Sequence, residues 1–266
     1  MYLKHWELND FPFENVPNPQ YYFQSVSHKT LCEDLQDAII RRKGAIVLSG
    51  EIGCGKSTIS QKMLLSLPED RFDVALITYS SLSPVEMLYE VCQQLGIETE
   101  ANNKSAILNA LQEHLLRNAQ SGKGTLICID EAQSIPSIST FEELRMLMNF
   151  QLGDHFLVSL LFVGQPELQH KIAELPQLQQ RVALNLTLNH FDLQNTTHYI
   201  LHRLRVAGCK RPILTRQAIE VIFRHTNGVP RRINHLLDRC LLLGSREAAD
   251  LIDRRLVEAT MQRYPC

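Results

Sequence analysis

The first residues with a chemical pattern are GEIGCGKS, Gly50 to Ser57, which read G-x-x-x-x-G-K-S. They stand between a short apolar run, AIVLSG at 45–50, and a stretch of helical periodicity from Ser57 to Leu67 that Pro68 stops. Glycines at 50, 53 and 55 let the backbone turn sharply, adopt positive φ and approach a ligand closely. Backbone N–H groups and the start of the following helix then face an anion. In that setting Lys56 sets a cation between the β- and γ-phosphates of a nucleotide, and Ser57 offers a hydroxyl to Mg2+. The expected nucleotide contacts are Gly50, Glu51, Ile52, Gly53, Cys54, Gly55, Lys56, Ser57 and Thr58. Cys54 is read as a neutral filler, with a part in access or redox sensitivity as the alternative.

A second group lies at the ends of later apolar runs. TLICIDEA closes a hydrophobic strand with Asp130 and Glu131. An Asp at the C-terminal edge of a parallel strand lies beside the phosphate loop and can hold Mg2+, and Glu131 is then placed to polarise a water for in-line attack. Two adjacent carboxylates also serve commonly as a cap for the next helix, so the pairing with the loop decides for chemistry. FVGQPEL puts Gln165 at another strand end, where it reaches a γ-phosphate or the attacking water, or simply turns the chain before Pro166. Two arginines complete the set. Arg231, in TNGVPRRINHLL, is expected to bring a lid onto the nucleotide of its own subunit. Arg181, after LPQLQQ, is expected to reach a neighbour's γ-phosphate. Arg232 beside Arg231 leaves that choice open, and a surface ion pair is the alternative for Arg181.

These side chains need a scaffold. Continuous apolar runs at 45–50, 72–80, 125–130 and 156–164 read as strands buried on both faces, and the alternating VALNLTL at 182–188 as a fifth, edge strand. Helical patterns at about 84–95 and 104–120 fall between them, so the expectation is a doubly wound, parallel α/β sheet. After His190 only helical patterns remain, at about 192–206, 215–226, 230–246 and 253–262, with Thr215 and Asp253 as N-caps. Before the first strand, a helix is expected from Ser27. Prolines at 12, 17 and 19 exclude a helix from FPFENVPNPQYYF and imply an extended arm packed by its rings. The division is therefore an arm at 1–27, an α/β body at 28–189 and a small helical domain at 190–266. Tyr21, Tyr22, Phe23, His28 and Ile52 are candidates for an adenine pocket, but packing on the body is the expected role of most of the rings.

Composition narrows the class. With 266 residues, 44% hydrophobic and 21% charged, the chain is long enough for one large or two smaller domains and is not disordered or fibrous. No window approaches 18 uncharged apolar residues and the N-terminus lacks an apolar signal core, so no membrane span or leader is expected and a cytoplasmic site is. Seven cysteines without a CxxC predict reduced, mostly buried thiols rather than zinc or disulfides. The ten histidines show no metal-ligand spacing. The net charge of −2 hides an asymmetry: residues 1–180 hold 13 basic and 22 acidic side chains, residues 181–266 hold 14 basic and 7 acidic. The basic third faces phosphates, an anionic partner or the acidic half of a neighbour, or is a set of solvated helix faces.

The order GEIGCGKS, LICIDEAQ, FVGQPEL, LQQR and NGVPRRIN, after the opening MYLKHWELNDFPFENVPNP, resembles the AAA+ ATPases of the general secretion pathway protein A (ExeA) type. These are related to transposition regulators of the TnsC and MuB kind. The resemblance implies a three-layer αβα P-loop body with a five-stranded sheet, an all-α lid, Mg-ATP as ligand, and ring or filament homo-oligomers with shared sites. It implies Lys56 and Ser57 on phosphate and metal, Asp130 on metal, Glu131 as base, Gln165 as sensor 1, Arg181 as finger and Arg231 as sensor 2. Members serving secretion usually continue into a membrane span and a periplasmic part. This sequence stops before either, which leaves the expectation of a free-standing cytosolic ATPase. Three functions follow: an oligomeric ATPase that assembles or remodels a protein partner, as in a secretion or pilus apparatus; an ATPase switch on duplex DNA; and a slow nucleotide switch without motor activity.

Overall fold

The computed structural model describes residues 2–16, 18–100, 103–153 and 155–264. Pro17 and Cys266, which entered the sequence reading, lie outside the described residues. Contacts divide the chain into two compact units. One takes Ser27–Ile52 and Lys56–Leu188; the other takes Met1–Val26, Gly53–Gly55 and Asn189–Cys266.

In chain order the elements are α1 (Leu3–Trp6), α2 (Val26–Ile40), β1 (Ala45–Gly50), α3 (Lys56–Ser66), β2 (Phe72–Ile77), α4 (Pro84–Gln94), α5 (Lys104–Gln120) and β3 (Gly124–Ile129). There follow α6 (Ile138–Leu147), β4 (Gln151–Leu152), β5 (His155–Phe156), β6 (Val158–Gly164), α7 (Glu167–Ala173), α8 (Pro176–Gln179) and β7 (Val182–Leu188). The chain closes with α9 (Leu193–Val206), α10 (Arg216–Thr226), α11 (Pro230–Arg246) and α12 (Arg254–Arg263).

The first unit is built on a five-stranded, wholly parallel sheet in the order β2-β3-β6-β1-β7. β1, β3 and β6 are buried at every residue, as their unbroken apolar runs require of strands covered on both faces. β7 alternates between half-buried and exposed through most of its length, the signature of the edge position it holds. Val47, Ile127, Leu160 and Phe162 form one core with Met87, Leu88, Leu111, Leu144 and Leu178 from α4, α5, α6 and α8. Successive strand residues point to opposite faces. The intervening Ile46, Leu48, Leu126 and Leu161, all buried, therefore face the other way, on the side where α3 packs on β1 and β6. Helices thus cover both faces, and the unit is the expected three-layer αβα sandwich.

Local chemistry sets the helix starts. Ser83 and Glu86 make a capping box behind Pro84 on α4, and the Asn103 side chain accepts the Ala106 N–H at 3.1 Å to start α5. Two strands are shorter than their apolar patterns. The run at 72–80 leaves the sheet at Ile77, and the run at 156–164 enters it only at Val158, because His155 and Phe156 turn back on Gln151 and Leu152 as a small antiparallel hairpin.

In the second unit α9 to α12 follow the expected spans to within a residue at each end. The side chains of Asp192, Thr215 and Asp253 cap three of the helices through the N–H groups of Asn195, Ala218 and Leu256. The amino-terminal rings belong to this helical core. Tyr2, Trp6, Phe13 and Tyr21 are buried with Ile200, Leu204, Leu236 and Leu241, and Phe23 packs against them, which for Tyr21 and Phe23 corrects the expectation of packing on the α/β body. The segment is also not wholly extended, since α1 makes one helical turn and residues 19–21 a 3-10 turn. Trp6 is fully buried, its indole N–H donating to the Leu241 carbonyl at 2.8 Å, and a Cβ on Gly244 would lie 2.6 Å from its ring. Arg203, also buried, donates to the Tyr199 hydroxyl at 2.8 Å and the Glu14 carbonyl at 3.0 Å, with its guanidinium 4.9 Å from the Tyr21 ring centroid.

Trp6→Ala removes the largest fully buried side chain of the helical core and its hydrogen bond to the Leu241 carbonyl. It should destabilise the unit by about 3–5 kcal/mol, read by urea titration followed by circular dichroism. A midpoint unchanged from the wild type would contradict this packing.

Candidate nucleotide site

The phosphate-loop sequence lies between the end of β1 at Gly50 and the first residue of α3, Lys56. Glycine is required at three points of it. Gly53 and Gly55 have φ of 83° and 99°, and a Cβ on Gly50 would stand 2.6 Å from the Leu188 carbonyl of neighbouring β7. Lys56 is 6% exposed, and its Nζ donates to the carbonyls of Gly50 at 2.8 Å and Glu51 at 2.9 Å. The ammonium is thus held over the loop that precedes it. The N–H groups of Lys56, Ser57 and Thr58 belong to the first turn of α3, where no intrahelical acceptor exists for them. A cation, a helix start and glycine-enabled backbone converge on one small space, which suits a phosphate chain. Glu51 and Ile52 stand exposed on the outside of the loop, and Cys54 is buried at 2% exposure.

The sheet register brings the other candidates to this edge. Val47 pairs with Phe162, and Phe162 with Ile129, so Ser49, Gly164 and the residues following Ile129 end at one level. Asp130 is 8% exposed, and its Oδ1 accepts the Glu131 N–H at 2.9 Å. Glu131 has φ of 50°, its carbonyl accepts the Ser80 hydroxyl at 2.8 Å, and its carboxylate is exposed. Gln165 follows β6, with its side-chain amide 3.5 Å from Glu131 Oε2. Lys56, Asp130, Glu131 and Gln165 therefore share the carboxyl edge of one sheet. There the Ser57 hydroxyl and the Asp130 carboxylate offer the hard oxygen donors that Mg2+ accepts.

Arg181 is not brought to this edge. It precedes β7, its carbonyl accepts the Ala45 N–H at 3.0 Å, and its guanidinium donates to the Met148 carbonyl at 3.1 Å and to Asn149 Oδ1 at 2.7 Å. Ala45 begins β1 and Gly50 ends it, a rise of about 16 Å, so Arg181 lies at the opposite edge from its own copy's loop. Arg231 starts α11 in the helical unit and donates its backbone N–H to the Gly53 carbonyl at 3.4 Å. Of the adenine candidates, Tyr21 donates to Asp10 at 2.9 Å, burial and that bond pushing its pKa up to about 12. Phe23 packs edge-to-face on Phe191 and Tyr199. His28 is buried on α2.

Two residues that the sequence did not single out also touch the carboxylate pair's loop: Ser80, beyond β2, and Gln133, whose amide donates to Glu131 Oε2 at 2.5 Å. Gln133 carried a signal, a polar side chain two positions beyond the pair; Ser80 carried none. The Cys128 thiol, two residues before Asp130, stays protonated. Burial first, then the Asp130 charge, hold Cys128 well above the ordinary thiol range, and burial raises Cys92 to about 11.

A family profile described as AAA domain matches residues 39–172, half of the chain, and spans the loop, the carboxylate pair and Gln165. The chain belongs to the AAA domain family. Within it, the chain is 34% identical over 247 residues to the General secretion pathway protein A of Aeromonas hydrophila. That match covers 91% of this chain but 44% of the relative, so the chain spans less than half of that protein's length. The fold is shared with solved structures of lower identity. The Aeropyrum pernix ORC2 protein in its ADPNP-ADP complexes aligns with a TM-score of 0.69 at 15% identity, over 96% of this chain and 71% of that one. Drosophila ORC bound to DNA gives 0.71 at 14%, over 98% and 65%. The Thermotoga maritima RuvB Holliday junction branch migration motor gives 0.60 at 18%, over 96% and 73%. For this AAA chain, membership implies nucleotide binding. None of the described helices is long and apolar enough to cross a membrane.

Lys56→Ala removes the fixed cation while leaving the glycines and the helix start in place. Titration with a fluorescent ATP analogue should show affinity lowered by about tenfold or more. Wild-type affinity in that variant would mean that the nucleotide does not lie on this loop.

Proposed function

We propose that this AAA protein binds and hydrolyses Mg-ATP as a cytoplasmic homo-oligomer and uses the cycle to assemble or remodel a partner protein complex of secretion or pilus type. The observation that carries the reading is the shared sheet edge: the Lys56 ammonium, the buried Asp130, the exposed Glu131 and Gln165 at one level of a parallel sheet. Phosphates lie against the loop from Gly50 to Thr58, with Lys56 as fixed charge. Ser57 and Asp130 hold Mg2+, which when bound offsets the negative charge of the phosphates. Glu131 orients a water and takes its proton as the water attacks the γ-phosphate in line. Gln165 donates its amide to the γ-phosphate or to the water. Arg231, at the Gly53 carbonyl, carries nucleotide state to the helical unit. Arg181, remote from its own loop, serves the site of a neighbouring copy. The likeness to General secretion pathway protein A supports a protein-assembling role.

Charge favours a second reading. The 14 basic against 7 acidic residues of the last third suit a polyanion, and one structure of the same fold is described as bound to DNA. On that reading the protein is an ATP-dependent switch on duplex DNA. Slow turnover without motor activity is the third form the same site can take.

Glu131→Gln should bind ATP as the wild type does and lose turnover by about 100-fold or more, the usual contribution of a positioned base. Undiminished phosphate release would remove Glu131 from that role. Turnover per copy should rise with protein concentration. Mixing Arg181→Ala with Glu131→Gln should restore part of the rate, since one copy then supplies the arginine and the other the base. A mixture no faster than its parts would place Arg181 outside catalysis. For the DNA reading, filter binding with ATP should show affinity falling by about 1000-fold or more between 50 and 200 mM salt. No binding at low salt eliminates it.

A further inference from the structure

Gln133 uses both ends of its amide. Its Oε1 accepts the backbone N–H of Gln165 at 3.0 Å, and its Nε2 donates to Glu131 Oε2 at 2.5 Å. The orientation follows from its partners, because a peptide N–H only donates and an ionised carboxylate only accepts. The turn that carries it is anchored separately. Lys171, on α7, donates through Nζ to the carbonyls of Gln133 at 2.6 Å and Ile135 at 2.9 Å. Glycine at 164 makes the contact possible, since a Cβ there would stand 2.6 Å from Gln133 Oε1. The end of β6 and the loop after β3 are therefore joined through one side chain.

Glu131 needs such a restraint. It sits on left-handed backbone with an exposed carboxylate, and an unrestrained Glu samples several rotamers that point away from any given water. The Gln165 side-chain amide donates to the same Oε2 only at 3.5 Å, the longer of the two bonds. When Gln165 turns to a γ-phosphate that longer bond breaks, and Gln133 alone keeps Oε2 occupied, leaving Oε1 to a water.

We propose that Gln133 is a positioning residue for hydrolysis, fixing the Glu131 carboxylate relative to the strand end that carries Gln165. The inference rests on the reading of Glu131 as the base. It predicts loss of kcat rather than of nucleotide affinity, because Gln133 acts on the attacking side and not on the phosphate loop.

The test measures kcat and KM for Mg-ATP, affinity for a fluorescent ATP analogue and the melting temperature, on the full chain carrying Glu131→Gln, Gln133→Leu or Gln133→Glu. Gln133→Glu keeps the length and the acceptor for the Gln165 N–H, loses the donor to Glu131 and sets a second negative charge against its carboxylate. Both Gln133 variants should lose about 10- to 100-fold in kcat, with KM and analogue affinity within about twofold of wild type, the size expected for a base displaced by about an ångström. A Gln133 that only supports the backbone of Gln165 would move the melting temperature and the analogue affinity together with kcat; that pattern, or wild-type turnover in Gln133→Glu, overturns the proposal. A rise in KM matching the fall in kcat also overturns it. If Gln133→Leu fails to fold, Gln133→Glu still decides. Should Glu131→Gln itself retain wild-type turnover, the reading of the base fails. Should Glu131→Gln be inactive while Gln133→Glu is unimpaired, only the present inference fails.

Discussion

The arrangement of the candidate site depends on one constraint, the parallel register of β1 with β6 and of β6 with β3. Parallel strands present all their carboxyl ends on one side, and the crossovers put a helix start beside each. Order β2-β3-β6-β1-β7 sets β1 between strands that follow it late in the chain, so the loop after Gly50 opens where neighbouring connections diverge. Slipping β3 by one residue against β6 would turn Asp130 to the other face of the sheet and bury a carboxylate among α-helical apolar residues. The completely buried strands prevent that slip, since each residue is matched to a helix on its own face.

Charge is distributed around this edge by burial. Lys56 and Asp130 are nearly enclosed, whereas Glu131 and Gln165 meet solvent more openly. Groups that grip an anion or a cation benefit from a low-dielectric setting, which strengthens each contact, and a group that must exchange a proton with water needs access. Cys128, two residues before Asp130, fits the same pattern: its fully buried thiol is held well above the ordinary range.

Much of this was legible in the sequence, for reasons that differ by element. GEIGCGKS could be read because its chemistry is local, with glycine, lysine and serine at fixed spacing between a strand and a helix. Strands β1, β3 and β6 could be read because burial on both faces leaves unbroken apolar runs. Short helices α6 to α8 were missed, because ten, seven and four residues offer too few turns for a clear period. The destination of the amino-terminal rings was also hidden, since Trp6 meets its hydrogen-bond partner 235 positions away. Arg181 illustrates a further limit. Its place in the motif order was visible, but which edge of the sheet it occupies depends on the pairing of β7 with β1, which no local pattern encodes.

Gly164 and Gln133 have an evolutionary consequence as a pair. A methyl group at 164 and a full-length amide at 133 compete for the same volume, so each side chain limits the size of the other. Across divergent members of the family the two positions should covary. Lineages with a larger residue at 164 should carry a shorter one at 133, together with another hydrogen-bond donor for the acidic side chain.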